Sequence, residues 1–102
     1  MMKDKIVNLI LVSIEDLNKT LSEKVPLHND LNIPLFGDSG TIDSIALVTL
    51  IMIIEDNIQK HFDVSIILAN DRAFSQTKSP FLSINSLIEF TYDLVEKELA
   101  DA

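Results

Sequence analysis

The chain has 102 residues, sixteen acidic side chains against eight Lys and Arg, a formal net charge of −8, and no cysteine. That length holds one domain with one modest core, and the charge disfavours nucleic acid and anionic lipid headgroups while favouring proteins with basic patches. Disulfides and thiolate metal sites are excluded, and a reducing compartment is permitted.

Ile6, Leu9, Ile10, Ile14, Leu17 and Leu21 recur at three- and four-residue steps, which predicts a first helix from about Met2 to Leu21 with one buried stripe. Lys3 and Lys5 before an apolar run imitate a signal peptide. Asn8 interrupts that run, however, Glu15 and Asp16 follow it, and no small-residue cleavage site appears. No apolar run is long enough to span a bilayer, so the expectation is a soluble, cytoplasmic protein.

From Ser22 to Ile42 the chain carries Pro26, Pro34, Gly37 and Gly40, and its apolar residues Val25, Leu27, Leu31, Ile33, Leu35 and Phe36 keep no helical period. A loop this long is unusual in a compact domain, and its apolar content predicts that it packs against the core. Gly37-Asp38-Ser39-Gly40 matches the tetrapeptide around the nucleophile of trypsin-like proteases. Those enzymes need a two-barrel scaffold that a short helical chain cannot supply, so the segment is read as a turn.

A second helix is expected to begin at Ser44, with Asp43 as the N-cap whose side chain satisfies free amides of the first turn. Leu47, Leu50, Ile51, Ile54, Ile58 and Phe62 form its buried stripe. Ile45, Val48, Met52 and Ile53 fall partly outside that stripe, more apolar surface than a solvated helix carries. Between Asp63 and Leu82 the pattern is irregular, with a brief helix expected around Leu68 to Phe74 and a break at Pro80. Ser83 is the expected N-cap of a last helix that runs to about Leu99 and buries Ile84, Leu87, Ile88, Thr91, Leu94 and Val95. The predicted fold class is therefore all-α: one domain over 1–102, an antiparallel bundle of three main helices plus one short one, with a long first loop.

Histidine and carboxylate chemistry finds little footing. His28 and His61 lie far apart without metal-ligand spacing, and Glu15 with Asp16, like Glu55 with Asp56, are neighbours that cannot share one helix face. All six are read as solvated surface. No metal and no catalysis are expected.

The run Leu35 to Glu55, Leu-Phe-Gly-Asp-Ser-Gly-Thr-Ile-Asp-Ser-Ile-Ala-Leu-Val-Thr-Leu-Ile-Met-Ile-Ile-Glu, resembles the acyl carrier protein family. The family's mark is Asp-Ser-Leu (or Ile, Met) at the start of the second helix, here Asp43, Ser44 and Ile45, and the order of elements along the whole chain also matches. The Leu-Phe with an acid and a glycine before Ile-Asp-Ser is most similar to the D-alanyl carrier proteins and related specialised carriers. The resemblance implies that Ser44 takes a 4'-phosphopantetheine arm from coenzyme A, added by a separate phosphopantetheinyl transferase. Asp43 then serves as N-cap and in recognition. A helix N-terminus suits such a phosphodiester, because its free amides and positive dipole end favour an anion.

The resemblance further implies a carrier of acyl or aminoacyl thioesters, monomeric and not an enzyme, for lipid, polyketide or D-alanyl pathways. Its partners are then an acyl- or aminoacyl-adenylating ligase and a synthase or acyltransferase. Ile45, Val48 and Met52 match the family's apolar recognition positions, and Glu55 and Asp56 its acids near the helix end. Ala46 and Thr49 depart from the pattern, since many fatty-acid carriers have acids there, which leaves docking to lean on apolar contact. Gln59, Lys60, His61 and Phe62 add about one helical turn, and the stretch from Asn70 to Ser83 is longer than in ordinary carriers. Two other readings stand beside this one. Ser44 could be only a helix-start residue in an unmodified acidic interaction module, and Val48 and Met52 could be ordinary core.

Overall fold

The computed structural model describes residues 2–20, 34–36, 42–68 and 79–101. They form three helices, α1 (Met2–Asn18), α2 (Ser44–Phe62) and α3 (Ile84–Asp101), and among the described residues there is no strand, only two isolated bridges. The architecture is all-α. The expected short helix at 68–74 falls almost wholly outside the described residues; Leu68 itself is fully buried and not helical.

α1 buries Ile6, Leu9, Ile10, Ile14 and Leu17 along one stripe and packs against both other helices. It stops short of position 21, because the Thr20 amide (2.9 Å) and hydroxyl (2.8 Å) both donate to the Leu17 carbonyl. Such three-residue spacing tightens the last turn and ends the helix. Leu21 lies outside the described residues. Two polar side chains of α1 are buried, Ser13 and Asn18. Ser13, fully buried, donates to the Leu9 carbonyl at 2.8 Å and accepts from Asn57 Nδ2 at 2.9 Å, so its desolvation is compensated.

α2 buries Leu47, Leu50, Ile51, Ile54 and Ile58 as its periodicity predicts, and Ala46 as well, while Phe62 is half-buried against the core. Each Leu or Ile taken fully out of water contributes roughly 1.5–3 kcal/mol, so this stripe, like that of α1, is a main source of stability. Gln59 to Phe62 are helical and form the last turn of α2. Asp63 then stops the helix in the left-handed region (φ 55°, ψ 35°), its amide donating to the Gln59 carbonyl at 3.0 Å. A non-glycine residue accepts that conformation most readily when it is Asn or Asp.

The apolar residues of the first loop that are described, Leu35, Phe36 and Ile42, are buried, in keeping with a packed loop; those from Val25 to Ile33 lie outside the described residues. The Leu35 amide donates to the Leu82 carbonyl (2.8 Å) and the Phe36 amide to the Phe81 carbonyl (3.0 Å), and the Ile42 amide returns to the Leu35 carbonyl (3.0 Å). These bonds tie the approach to α2 onto the approach to α3 and fix where α2 begins. α3 starts where expected. The Ser86 amide donates to Ser83 Oγ and the Ser83 amide to Ser86 Oγ, each at 3.1 Å, a reciprocal cap of the capping-box kind. The helix buries Ile84, Leu87, Ile88, Thr91 and Val95, with Leu94 half-buried, and continues two residues past Leu99.

Candidate functional site

The start of α2 is built by Asp43. Its backbone is extended (φ −95°, ψ −175°), Oδ1 accepts from the Ala46 amide at 2.8 Å, and its carbonyl accepts from the Leu47 amide at 2.9 Å. Asp43 is thus the N-cap, as the sequence predicts. Helix geometry leaves the Ser44 and Ile45 amides without a partner inside α2, and the first turn carries no acid. Ser44, the first helical residue, is exposed. Its hydroxyl stands in the positive end of a nineteen-residue helix, where a covalently held phosphate is favoured.

Among the described residues, no histidine lies near that hydroxyl. His61, seventeen residues on, is about 25 Å along the helix axis, and no cluster of His and carboxylates that could hold a metal occurs among the described residues. The tetrapeptide Gly37–Gly40, with Ser39, lies outside the described residues.

Three of the recognition residues named from the resemblance share the outward face of α2. Ile45 is 79% exposed, Val48 44% and Met52 65%, and their spacing of three and four places them in one row. They are not core. Thr49 is exposed, but Ala46 is buried at 8%, which corrects the reading of Ala46 as a missing surface acid: the side that holds it faces the interior, so an acid there would be desolvated.

The two acids behave differently from each other. Asp56 is exposed and pairs with Lys60 at 2.9 Å, one turn on; the bond and the charge of Asp56 hold the Lys60 ammonium above its usual range. Glu55 is half-buried, and its Oε2 accepts from the Leu68 amide at 2.8 Å. It is therefore not the freely solvated carboxylate that adjacency in sequence implied.

Ile67 went unremarked in the sequence. After the Asp63 turn, Ile66 and Leu68 point inward (6% and 0% exposed) and Ile67 outward (76%). The only signal was this alternation, too short in Val64-Ser65-Ile66-Ile67-Leu68 to tell from an irregular apolar run. Beside it runs a groove of about 370 Å³ between α2 and the returning segment, lined by Met52, Glu55, Asp56, Gln59, Ser65 and Ile66. A larger groove of about 480 Å³ lies between α1 and the last turns of α2, at Val12, Asn57 and His61. Asn57 is thirteen residues, about 20 Å, from Ser44, which separates that groove from the α2 start.

No helix among the described residues is long and apolar enough to cross a membrane. Comparison of the chain with protein-family models, with curated proteins and with solved structures finds no match.

Proposed function

We propose that this chain is a carrier protein, holding an acyl or aminoacyl group as a thioester on a 4'-phosphopantetheine arm attached to Ser44. The observation that carries the reading is the combination at one helix start of an exposed Ser44, a cap supplied by Asp43, and an exposed apolar row at Ile45, Val48 and Met52. Packing needs none of these on the outside.

The residues present fit the group. Ser44 Oγ is accessible, the free first-turn amides and the dipole favour the phosphodiester, and no acid in the first turn opposes it. Attachment forms a bond between Ser44 Oγ and the β-phosphorus of coenzyme A. Adenosine 3',5'-bisphosphate leaves, and the serine proton passes to a base of the phosphopantetheinyl transferase. The arm, when present, supplies a terminal thiol for the thioester. This chain contributes attachment and docking, and an adenylating ligase, a synthase or an acyltransferase contributes the reactions, in the cytoplasm where coenzyme A is available. The missing acid at Thr49 favours a dedicated pathway, D-alanyl or other aminoacyl transfer included, over general fatty-acid synthesis.

Incubation with coenzyme A and a promiscuous transferase, read by intact mass, tests the assignment. Wild type gains one arm, Ser44→Ala stays folded and gains none, and Ser39→Ala is modified normally. An arm on Ser44→Ala refutes Ser44 as the site. No arm on wild type favours an unmodified interaction module that uses the same outer face of α2.

A further inference from the structure

Four of the six large apolar side chains exposed among the described residues, Ile45, Val48, Met52 and Ile67, belong to α2 and the segment that folds back beside it. The remaining two lie apart from this face: Val12 lines the groove between α1 and the last turns of α2, and Leu99 sits near the end of α3. Ile67 is held out by its neighbours. Ile66 and Leu68 are sunk in the core, and the Leu68 amide is bound by Glu55, so the chain between them has little freedom to turn Ile67 inward. Ile66 lines the same groove as Met52, which brings the segment alongside the α2 row.

Three acids near this face each hold a hydrogen bond or an ion pair. Glu55 is bonded to the Leu68 amide, Asp56 to Lys60, and Asp43 to the Ala46 amide, while Thr49, Gln59 and Ser65 are neutral. The surface complementary to it has an apolar centre. Any enzyme that reaches Ser44 must also cover Ile45, the next residue, so the face is continuous with the site of modification.

Resting on the carrier reading, we infer that Ile67 is a fourth apolar anchor for the transferase that loads Ser44, and that Glu55 is a positioning residue holding Ile67 in place. The occupant is a protein surface with apolar side chains at its centre. Glu55 acts through its hydrogen bond, not through its charge. A glutamine, which keeps an acceptor oxygen and loses the charge, therefore replaces it, and an alanine does not.

The test is the steady-state loading of Ser44 by the transferase for wild type, Ile67→Ser, Glu55→Gln, Glu55→Ala and, as a control on a distant exposed apolar residue, Val12→Ser. Hydrogen exchange at the Leu68 amide is followed in parallel. Loss of a buried interface anchor costs roughly tenfold in kcat/KM, expected for Ile67→Ser through KM with an unchanged melting temperature, whereas Val12→Ser matches wild type. Glu55→Gln keeps both loading and Leu68 protection; Glu55→Ala loses protection and loads like Ile67→Ser. Wild type loaded at Ser44 with Ile67→Ser equal to Val12→Ser overturns the anchor and leaves the carrier reading intact. Glu55→Gln as slow as Glu55→Ala overturns the positioning role in favour of charge. Should Glu55→Ala unfold, Ile67→Ser and Glu55→Gln decide. A wild type that is never loaded overturns the carrier reading and this inference together.

Discussion

α2 and α3 are helices of nearly equal length, nineteen and eighteen residues, each started by a side-chain cap and each burying an apolar stripe. They differ on the side that faces water. α3 shows Glu89, Asp93, Glu96, Lys97 and Glu98 there, with Leu99 near its end, whereas α2 shows Ile45, Val48 and Met52 along its first half and the charged Asp56 and Lys60 only in its second. Folding asks for the charged arrangement, which keeps a helix soluble and its register unambiguous. The difference separates what the fold requires from what it does not, and points to α2 as the helix with a further use.

The sharpest way to test that separation is to compare inner and outer positions on α2. Leu50→Ala, at a fully buried site, should cost about 2–5 kcal/mol in denaturant unfolding, while Val48→Ser and Met52→Glu should stay within about 0.5 kcal/mol of wild type. Substantial unfolding by either outer change would mean that the apolar row is structural after all, and the contrast with α3 would disappear.

The inner faces differ too. α2 buries only apolar side chains, but α3 buries Thr91, whose hydroxyl has no hydrogen-bond partner among the described residues. Thr91→Val replaces that hydroxyl by a methyl of similar size and should stabilise the protein by about 1 kcal/mol, seen as a raised melting temperature. A loss of stability would reveal that the hydroxyl is satisfied.

The caps give a matched pair at about the same magnitude. Asp43→Ala and Ser83→Ala should each cost about 1 kcal/mol, yet only Asp43→Ala should also slow arm loading. Equal loading by both would confine Asp43 to its structural role.

The α2 surface can also be converted toward the charged kind. Because Ala46 is buried, only Thr49→Glu adds an acid to the exposed side. Transferase binding to wild type should depend shallowly on salt, since apolar contact is nearly indifferent to a screening length of about 8–10 Å. Thr49→Glu should steepen that dependence, and equal slopes would show that Thr49 lies off the interface.

The smallest effect belongs to α3 and reports on its charged face. Tyr92, the sole tyrosine, has its hydroxyl held above the usual range first by a hydrogen bond to Glu96, with the charges of Glu96, Asp93 and Glu89 and some burial adding to it. The raised value means that the associated stability is complete below the unfolded pKa and is lost as pH rises through the folded one. Ultraviolet titration should show an elevated midpoint that Glu96→Gln lowers; no change would remove Glu96 as the cause.

Much of this was legible in sequence, for identifiable reasons. The stripes of α1, α2 and α3 and the caps at Asp43 and Ser83 follow from local periodicity and side-chain chemistry; periodicity set Ile45, Val48, Met52 and Ile53 only partly outside the α2 stripe, and of these Ile53 is half-buried against the core. What escaped depended on contacts distant along the chain. Glu55 looked like a surface acid because its partner, the Leu68 amide, is thirteen residues away. Ala46 looked like surface because a small residue at the edge of a stripe carries no sign of which side it takes. Ile67 was hidden by a strand-like alternation only five residues long, fixed by the burial of Ile66 and Leu68.

The Ser13–Asn57 hydrogen bond has a consequence for how the helices are keyed. The buried stripe of α1 repeats nearly every turn, Ile6, Ile10 and Ile14 being alike, so sliding α1 by one turn along α2 would exchange isoleucine for isoleucine. Greasy contacts alone would barely notice. The slide would, however, bring Leu9 or Leu17 opposite Asn57 and break the Asn57–Ser13 hydrogen bond, a loss of about 0.5–1.5 kcal/mol, while Ser13 keeps its bond to the Leu9 carbonyl within α1. Two modest side chains thus act as a detent, selecting one axial setting among several that oil-like packing would accept.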